Sequence, residues 1–401
     1  MSGLRLNRRS IHSIAIIALL ISVTVALPLT TSELRTLSVQ TRGLTLGLTA
    51  LAVGLLVLSA RGNRVMLFSM GAFVVLFVYG MVMATVMGGL TTAMSDLPTT
   101  ILIALLGLFI ASQRTPVVTR SDAQILVLYI ATFLLATLAL GGLILSLPPY
   151  FVFQAQSDWH GSSVSYSQGV SKFFGFGLVL CGFLLQAERS VKLQILLLFP
   201  SLTFLLLAFV GGGRGDALTA LIIFLFVVMI RLPLKAKIPA IIIIVMLTGL
   251  FVRNINLDDL VIFRRLSIIL EGSAGARDEI YAEAIGMLAD KVQCAVIGCG
   301  FDYFQFALQQ DVGRYPHNQL IESMIVWGIP LTLVTMSYTV IGLYKSFRED
   351  GRNDAFPFIA LFFFFIAMKS GSVVSSWLFV ISVFHYFGVG LDRALFPRQN
   401  Q

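Results

Sequence analysis

Two arginines and one histidine stand out in a chain that otherwise avoids charge: Arg214, Arg277 and His317. Arg214 lies in Gly211-Gly212-Gly213-Arg214-Gly215-Asp216, between two apolar runs. An arginine so close to hydrocarbon is costly unless it is paired or faces a water-filled cavity. Glycines ahead of it let the backbone approach a ligand and offer N–H groups as an anion nest. The positive end of the helix that starts here adds to that attraction. A second reading stands beside this one. Gly213 and Gly215 can simply shape a tight hairpin, whose arginine bonds Asp216 or snorkels to lipid phosphates.

Arg277 lies in Gly275-Ala276-Arg277-Asp278-Glu279-Ile280-Tyr281-Ala282-Glu283-Ala284-Ile285-Gly286-Met287-Leu288. Positions 277, 281, 284 and 288 share one helical face, which places Arg277 and Tyr281 above apolar Ala284 and Leu288. An amphipathic helix lying on a membrane surface has the same pattern, so both readings remain. His317 closes the run Arg314-Tyr315-Pro316-His317-Asn318-Gln319-Leu320-Ile321-Glu322, just before another apolar stretch. A neutral imidazole there can take a proton near physiological pH. Pro316 and Asn318 also fit the start of a helix, which gives the histidine a structural alternative.

Together the three suggest one chemistry. Guanidinium forks bind phosphate oxygens in pairs, so two arginines suit the two phosphates of a diphosphate. A histidine on the same side can deprotonate a hydroxyl acceptor. An anionic leaving group held by arginines, with a hydroxyl activated by a base, is a site for glycosyl transfer. It calls for no metal and no other cofactor, and the chain has no Cys/His cluster with metal-site spacing.

The elements that must position these residues are set by lipid. Of 401 residues, 57% are hydrophobic and 12% charged, with a mean hydropathy of +0.90. That is far outside the soluble range. Backbone polar groups in lipid must pair within helices or closed barrels, and the long apolar runs mean helices. The expected fold is an all-α polytopic membrane protein of about 12 transmembrane helices. They are read at 13–30, 43–60, 65–87, 97–112, 123–146, 169–186, 193–211, 216–231, 238–252, 318–344, 355–369 and 372–391. Residues 1–252 then carry nine helices, 253–317 form one large polar loop with helical pattern, and 318–401 carry the last three helices and a tail. A connector of about 65 residues exceeds what a turn needs and points to function. Arg264, Arg265, Tyr315 and Glu322 are further candidates for substrate contact, along with Gly213, Gly215, Tyr281 and Asn318.

Lysines and arginines gather on alternate connectors: Arg61 and Arg64; Arg114 and Arg120; Arg189 and Lys192; Arg231, Lys235 and Lys237; Lys345, Arg348 and Arg352. The other connectors hold few, among them Arg35, Arg42, Arg214 and Lys369. The positive-inside rule then places both termini in the cytoplasm and the large loop outside. This asymmetry accounts for most of the net charge of +8 without invoking nucleic acid. The apolar stretch after Arg5, Arg8 and Arg9 is long enough to remain as a signal anchor. Cys294 and Cys299 share the loop and can pair if it faces an oxidising compartment, whereas Cys181 reads as a small apolar filler. A second outer loop, about 147–168, carries Trp159 and His160, either as an interfacial belt or as a sugar-stacking surface.

The order of these features resembles the bacterial O-antigen polymerases and O-antigen ligases. Gly213-Arg214-Gly215 is similar to the family's arginine motif ahead of its large loop. Arg277 matches an arginine on a helix within the loop, and Gly298-Cys299-Gly300-Phe301 matches a Gly-x-Gly-Phe segment. His317-Asn318, Glu322 and Gly328-Ile329-Pro330 match the closing motif. The likeness covers about residues 195–335; Cys294 and Cys299 have no counterpart role in it. It implies a metal-independent inverting glycosyltransferase with a GT-C-like fold in the bacterial inner membrane, its site facing the periplasm. The donor and acceptor would be undecaprenyl-diphosphate-linked glycans, with Arg214 and Arg277 on the diphosphate and His317 as the base. A chain-length regulator is a further partner of such polymerases. The glycine run and Glu322 favour a polymerase; a ligase transferring the glycan to lipid A-core is the alternative. A twelve-helix transporter fits the helix count, but transporters gather charge near the bilayer midplane, and these membrane segments are nearly free of it.

Overall fold

The computed structural model describes residues 7–28, 32–59, 63–88, 97–144, 156–159, 162–165, 168–210, 213–231, 277–309, 315–349, 353–369, 372–373 and 376–397. The expected helix at 238–252 and the candidates Arg264 and Arg265 lie outside these residues. What is described is helical apart from one short antiparallel ribbon. Among the described residues, six helices are long and apolar enough to cross a membrane, and three shorter apolar helices accompany them.

The chain groups into two compact units. The first contains residues 1–19, 47–117 and 275–401. It takes the first part of α1 (Arg8–Thr24) and the second part of α2 (Ser32–Ser59), with α3 (Arg64–Met87) and α4 (Leu97–Ser112). From the C-terminal half come α9 (Arg277–Asp290), α10 (Val292–Ile297), α11 (Tyr303–Ala307), α12 (Gln319–Trp327), α13 (Ile329–Glu349), α14 (Phe356–Ala367) and α15 (Trp377–Leu395). Aromatic rings fill its middle. Phe77 of α3 lies 4.2 Å from Phe73, 5.2 Å from Phe301 and 6.3 Å from Trp327 between ring centroids. Phe384 of α15 closes this cluster edge-on against Phe73 at 5.4 Å. Water cannot drive helices together inside lipid, so dispersion and close approach must do so. Accordingly, Gly342 of α13 and Gly390 of α15 bring two backbones together where a Cβ at either would meet a carbonyl oxygen near 2 Å.

One sequence expectation changes here. The apolar run 318–344 is two helices, α12 and α13, separated at Gly328. Gly328 has φ +83, a conformation costly for any residue with a Cβ. Its backbone lies against Gly298, so that an added Cβ on Gly298 would stand 2.7 Å from Gly328 N. The break is where the polar loop's end is pressed into the bundle.

The second unit contains residues 20–46 and 118–274. Its described helices are α5 (Arg120–Ile144), α6 (Gln168–Ala187), α7 (Val191–Val210) and α8 (Arg214–Arg231), with the remaining parts of α1 and α2. Helix α6 is the centre, with Phe173, Phe174, Phe176 and Phe183 all at 0% exposure. It packs on α5, α7 and α8. At one end Glu188 joins Arg120, while its other oxygen accepts from the N–H groups of Arg189 (2.8 Å) and Ser190 (2.9 Å). The ribbon pairs β1 (Gln156–Trp159) with β2 (Ser162–Ser165), Trp159 opposite Ser162. Arg35 and Arg42, read from sequence as connector residues, belong to α2.

Candidate functional site

His317 stands immediately before α12, and its backbone is left-handed at φ +52. A residue with a Cβ pays for that conformation, and it persists only where neighbours determine it. Three neighbours do so here. Pro316 is buried and rigid in φ. The Tyr315 ring lies 4.1 Å from the imidazole between centroids, tilted by 47°. On the other side Asn318 is the N-cap of α12, its Oδ1 accepting from the N–H of Leu320 (3.0 Å) and Ile321 (3.3 Å). The cap at this helix start is the asparagine, and the His317 side chain beside it is half-buried.

One turn further, Glu322 is buried and both its oxygens are engaged. Ser372 Oγ donates to Oε1 at 2.7 Å and Val373 N–H to Oε2 at 3.1 Å. Gln319 Nε2 donates to the Ser372 carbonyl at 2.7 Å. Glu322 thus ties the start of α12 to the approach to α15. Sequence reasoning missed Gln319, Ser372 and Val373, because the contacts span about fifty residues; a hydrogen bond is worth only about 1 kcal/mol and leaves no periodic trace. The one usable signal is the polar interruption Ser370-Gly371-Ser372 after Lys369, between two apolar helices.

Arg277 opens α9, and Tyr281 lies half-buried one turn along. The buried stripe of this helix is Ile280, Ala284 and Met287, which joins Phe304 of α11 and Ile325 of α12 in one cluster, with Ile321 and Leu288 at its edge. Ala284 and Leu288 therefore face the core as expected, while the stripe runs through Ile280 and not through Tyr281. Ile280 is three residues beyond Arg277 and Ile321 four beyond His317. Both chemistry-bearing helix starts are thus within about one turn, ~5.4 Å of rise, of residues in a shared cluster.

The Gly298-Cys299-Gly300-Phe301 segment braces this arrangement. Cys299 and Cys294 form a disulfide, and both are buried. Cys299 N–H donates to Ile325 O (2.7 Å), Gly300 N–H to Val326 O (3.2 Å) and Phe301 N–H to Gly80 O (3.4 Å). The Ile325 and Val326 carbonyls near the end of α12 are satisfied by this turn, and Gly328 N–H donates to Met324 O (2.9 Å) as the C-cap.

In the second unit, Arg214 is the first residue of α8, as the dipole argument requires. Gly213 is buried, and its N–H donates to Ser171 Oγ of α6 at 2.9 Å. Its carbonyl accepts from Asp216 N–H and Ala217 N–H, both at 2.9 Å. A Cβ on Gly213 would come 2.8 Å from Ser171 Cβ. Gly215 O accepts from Thr219 Oγ1 at 2.5 Å. The Arg214 backbone is consequently held by a glycine wedged against α6. Among the described residues no group of three or more His, Cys, Asp or Glu side chains is placed to hold a metal ion. No protein-family model matches the chain, and no curated protein matches it either.

Proposed function

We propose that the protein is a membrane glycosyltransferase that acts on a lipid-diphosphate-linked glycan, in the manner of an O-antigen polymerase. The observation that carries the proposal is the setting of His317. It is fixed in a strained backbone beside Tyr315, ahead of a capped helix, in a unit where the Arg277 helix packs on that same helix. Strain of this kind is retained where position matters.

In the proposed reaction the His317 imidazole removes the proton from an acceptor sugar hydroxyl. That oxygen bonds to the anomeric carbon of the donor while the bond from this carbon to the diphosphate oxygen breaks. The electron pair leaves with the lipid diphosphate, whose charge Arg214 and Arg277 balance. The single displacement inverts the anomeric centre. An open apolar hollow of about 400 Å³, lined by Met81 of α3 and by Leu97, Pro98, Ile101, Leu102 and Leu105 of α4, lies in the first unit and suits part of a lipid chain.

The test is glycan extension by His317→Ala and His317→Gln proteins purified to equal helicity. General-base removal should lower turnover by about 10²–10⁴-fold with donor KM little changed. Wild-type turnover in both variants would rule out the base. In a deletion strain, lipopolysaccharide with core plus a single repeat marks a lost polymerase, and a normal ladder defeats the proposal.

A further inference from the structure

Residues 292–308 are a hairpin laid along the second half of α3. At its mouth Gln293 Nε2 reaches Met87 Sδ (3.7 Å), and the Phe306 ring stands where a Cβ on Gly88 would be 3.0 Å away. Its turn goes deeper. Phe301 N–H bonds Gly80 O, and Phe301 packs on Phe77. Gly80 is seven residues in from Met87, about 10 Å along the axis. Helix α3 has 24 residues and a length of about 36 Å, against roughly 30 Å of hydrocarbon. Centred in a bilayer, it leaves about 3 Å at each end, so the turn lies roughly 7 Å inside the hydrocarbon boundary.

Irregular backbone is tolerated at that depth only when its polar groups are satisfied by protein. The turn's N–H groups meet that demand: the Ile325, Val326 and Gly80 carbonyls accept from Cys299, Gly300 and Phe301, and Tyr79 OH donates to Ile297 O. The exposed side of the hairpin is apolar apart from Gln293 at its mouth. Val292 is 68% exposed, Val296 53%, Ile297 44% and Phe306 48%, at the level where Val82 and Val86 of α3 are also exposed. The turn's one acid, Asp302, is half-buried. Lys291 sits at the mouth, its Nζ donating to Tyr303 OH at 3.0 Å.

We propose that this hairpin is a re-entrant membrane element, with Val296, Ile297 and Phe306 in contact with the acyl chains of the leaflet at the Met87 end of α3. The proposal is independent of the enzymatic reading. It is tested on full-length protein carrying Cys181→Ala with Val296→Cys or Phe306→Cys, and Asp290→Cys as the reference outside the hairpin. Each is labelled with an environment-sensitive fluorophore in detergent and reconstituted into vesicles containing acyl-chain nitroxide lipid. At both hairpin sites quenching should exceed the reference at least threefold, and unlabelled thiols there should react at least tenfold more slowly with a membrane-impermeant maleimide. Equal quenching and equal labelling at all three positions would overturn the proposal.

Discussion

Gly300→Ala asks whether the turn at Cys299–Phe301 must lie against α3. Gly300 has φ +84, and an alanine there would place its Cβ 2.0 Å from Ala84 N, 2.5 Å from Ala84 Cα and 2.6 Å from Gly80 O. All three are backbone atoms of α3, so no side chain can rotate away. Two responses are open. If the turn stays docked, the left-handed alanine costs about 1–2 kcal/mol and the overpacking about 1–3 kcal/mol, together about 2–5 kcal/mol. If it undocks, three hydrogen bonds worth about 1 kcal/mol each are lost, along with burial of the Phe301 ring, worth roughly 1.5–3 kcal/mol. The protein takes the cheaper route, so the loss should be about 2–5 kcal/mol. The assay is thermal unfolding in mild detergent, beside Gly286→Ala as control. Gly286 lies in helix α9 with nothing within 4 Å of an added Cβ, and alanine there should be neutral or stabilising by up to about 1 kcal/mol. A Gly300→Ala protein that melts with wild type would refute the docked turn.

Two more expectations concern the start of α12. Asn318→Ala removes the acceptor for Leu320 and Ile321 N–H and should cost about 1 kcal/mol, with faster hydrogen exchange at those two amides; unchanged exchange would deny the cap. Glu322→Ala leaves the Ser372 hydroxyl and Val373 N–H without their acceptor, at about 1–3 kcal/mol each. Glu322→Gln, which keeps one acceptor oxygen, should lose less. A Glu322→Ala protein as stable as wild type would remove the brace and return this residue to the substrate.

The helices were legible because lipid demands long apolar runs, and α3, α4, α6 and α8 fall within a few residues of those runs. The helix cap was legible too, since Asn318 stands one residue before a periodic stretch. The break at Gly328 was not. Its flanks are equally apolar, and the glycine is needed because φ is +83 there and the backbone of Val296 and Gly298, about thirty residues earlier, arrives against it. The polar loop hid its re-entry for a related reason. Helices α10 and α11 have six and five residues, too few for a period to declare itself. For Glu322 the residue type was noticed, but its partners come from a segment that sequence order keeps far away. For Arg214 the expected helix start was legible from the glycines before it, and both Arg214 and Arg277 open helices.

The shortness of α12 sets a depth gauge. Trp327 closes this helix with its ring 6.3 Å from Phe77, close to the midpoint of α3. Nine residues rise about 13.5 Å, slightly less than the roughly 15 Å from bilayer midplane to hydrocarbon edge. With α3 centred in a bilayer and α12 along the membrane normal, that rise would carry His317 to the level where acyl chains give way to phosphates. Its height is therefore a matter of counting residues between two aromatic anchors and a glycine.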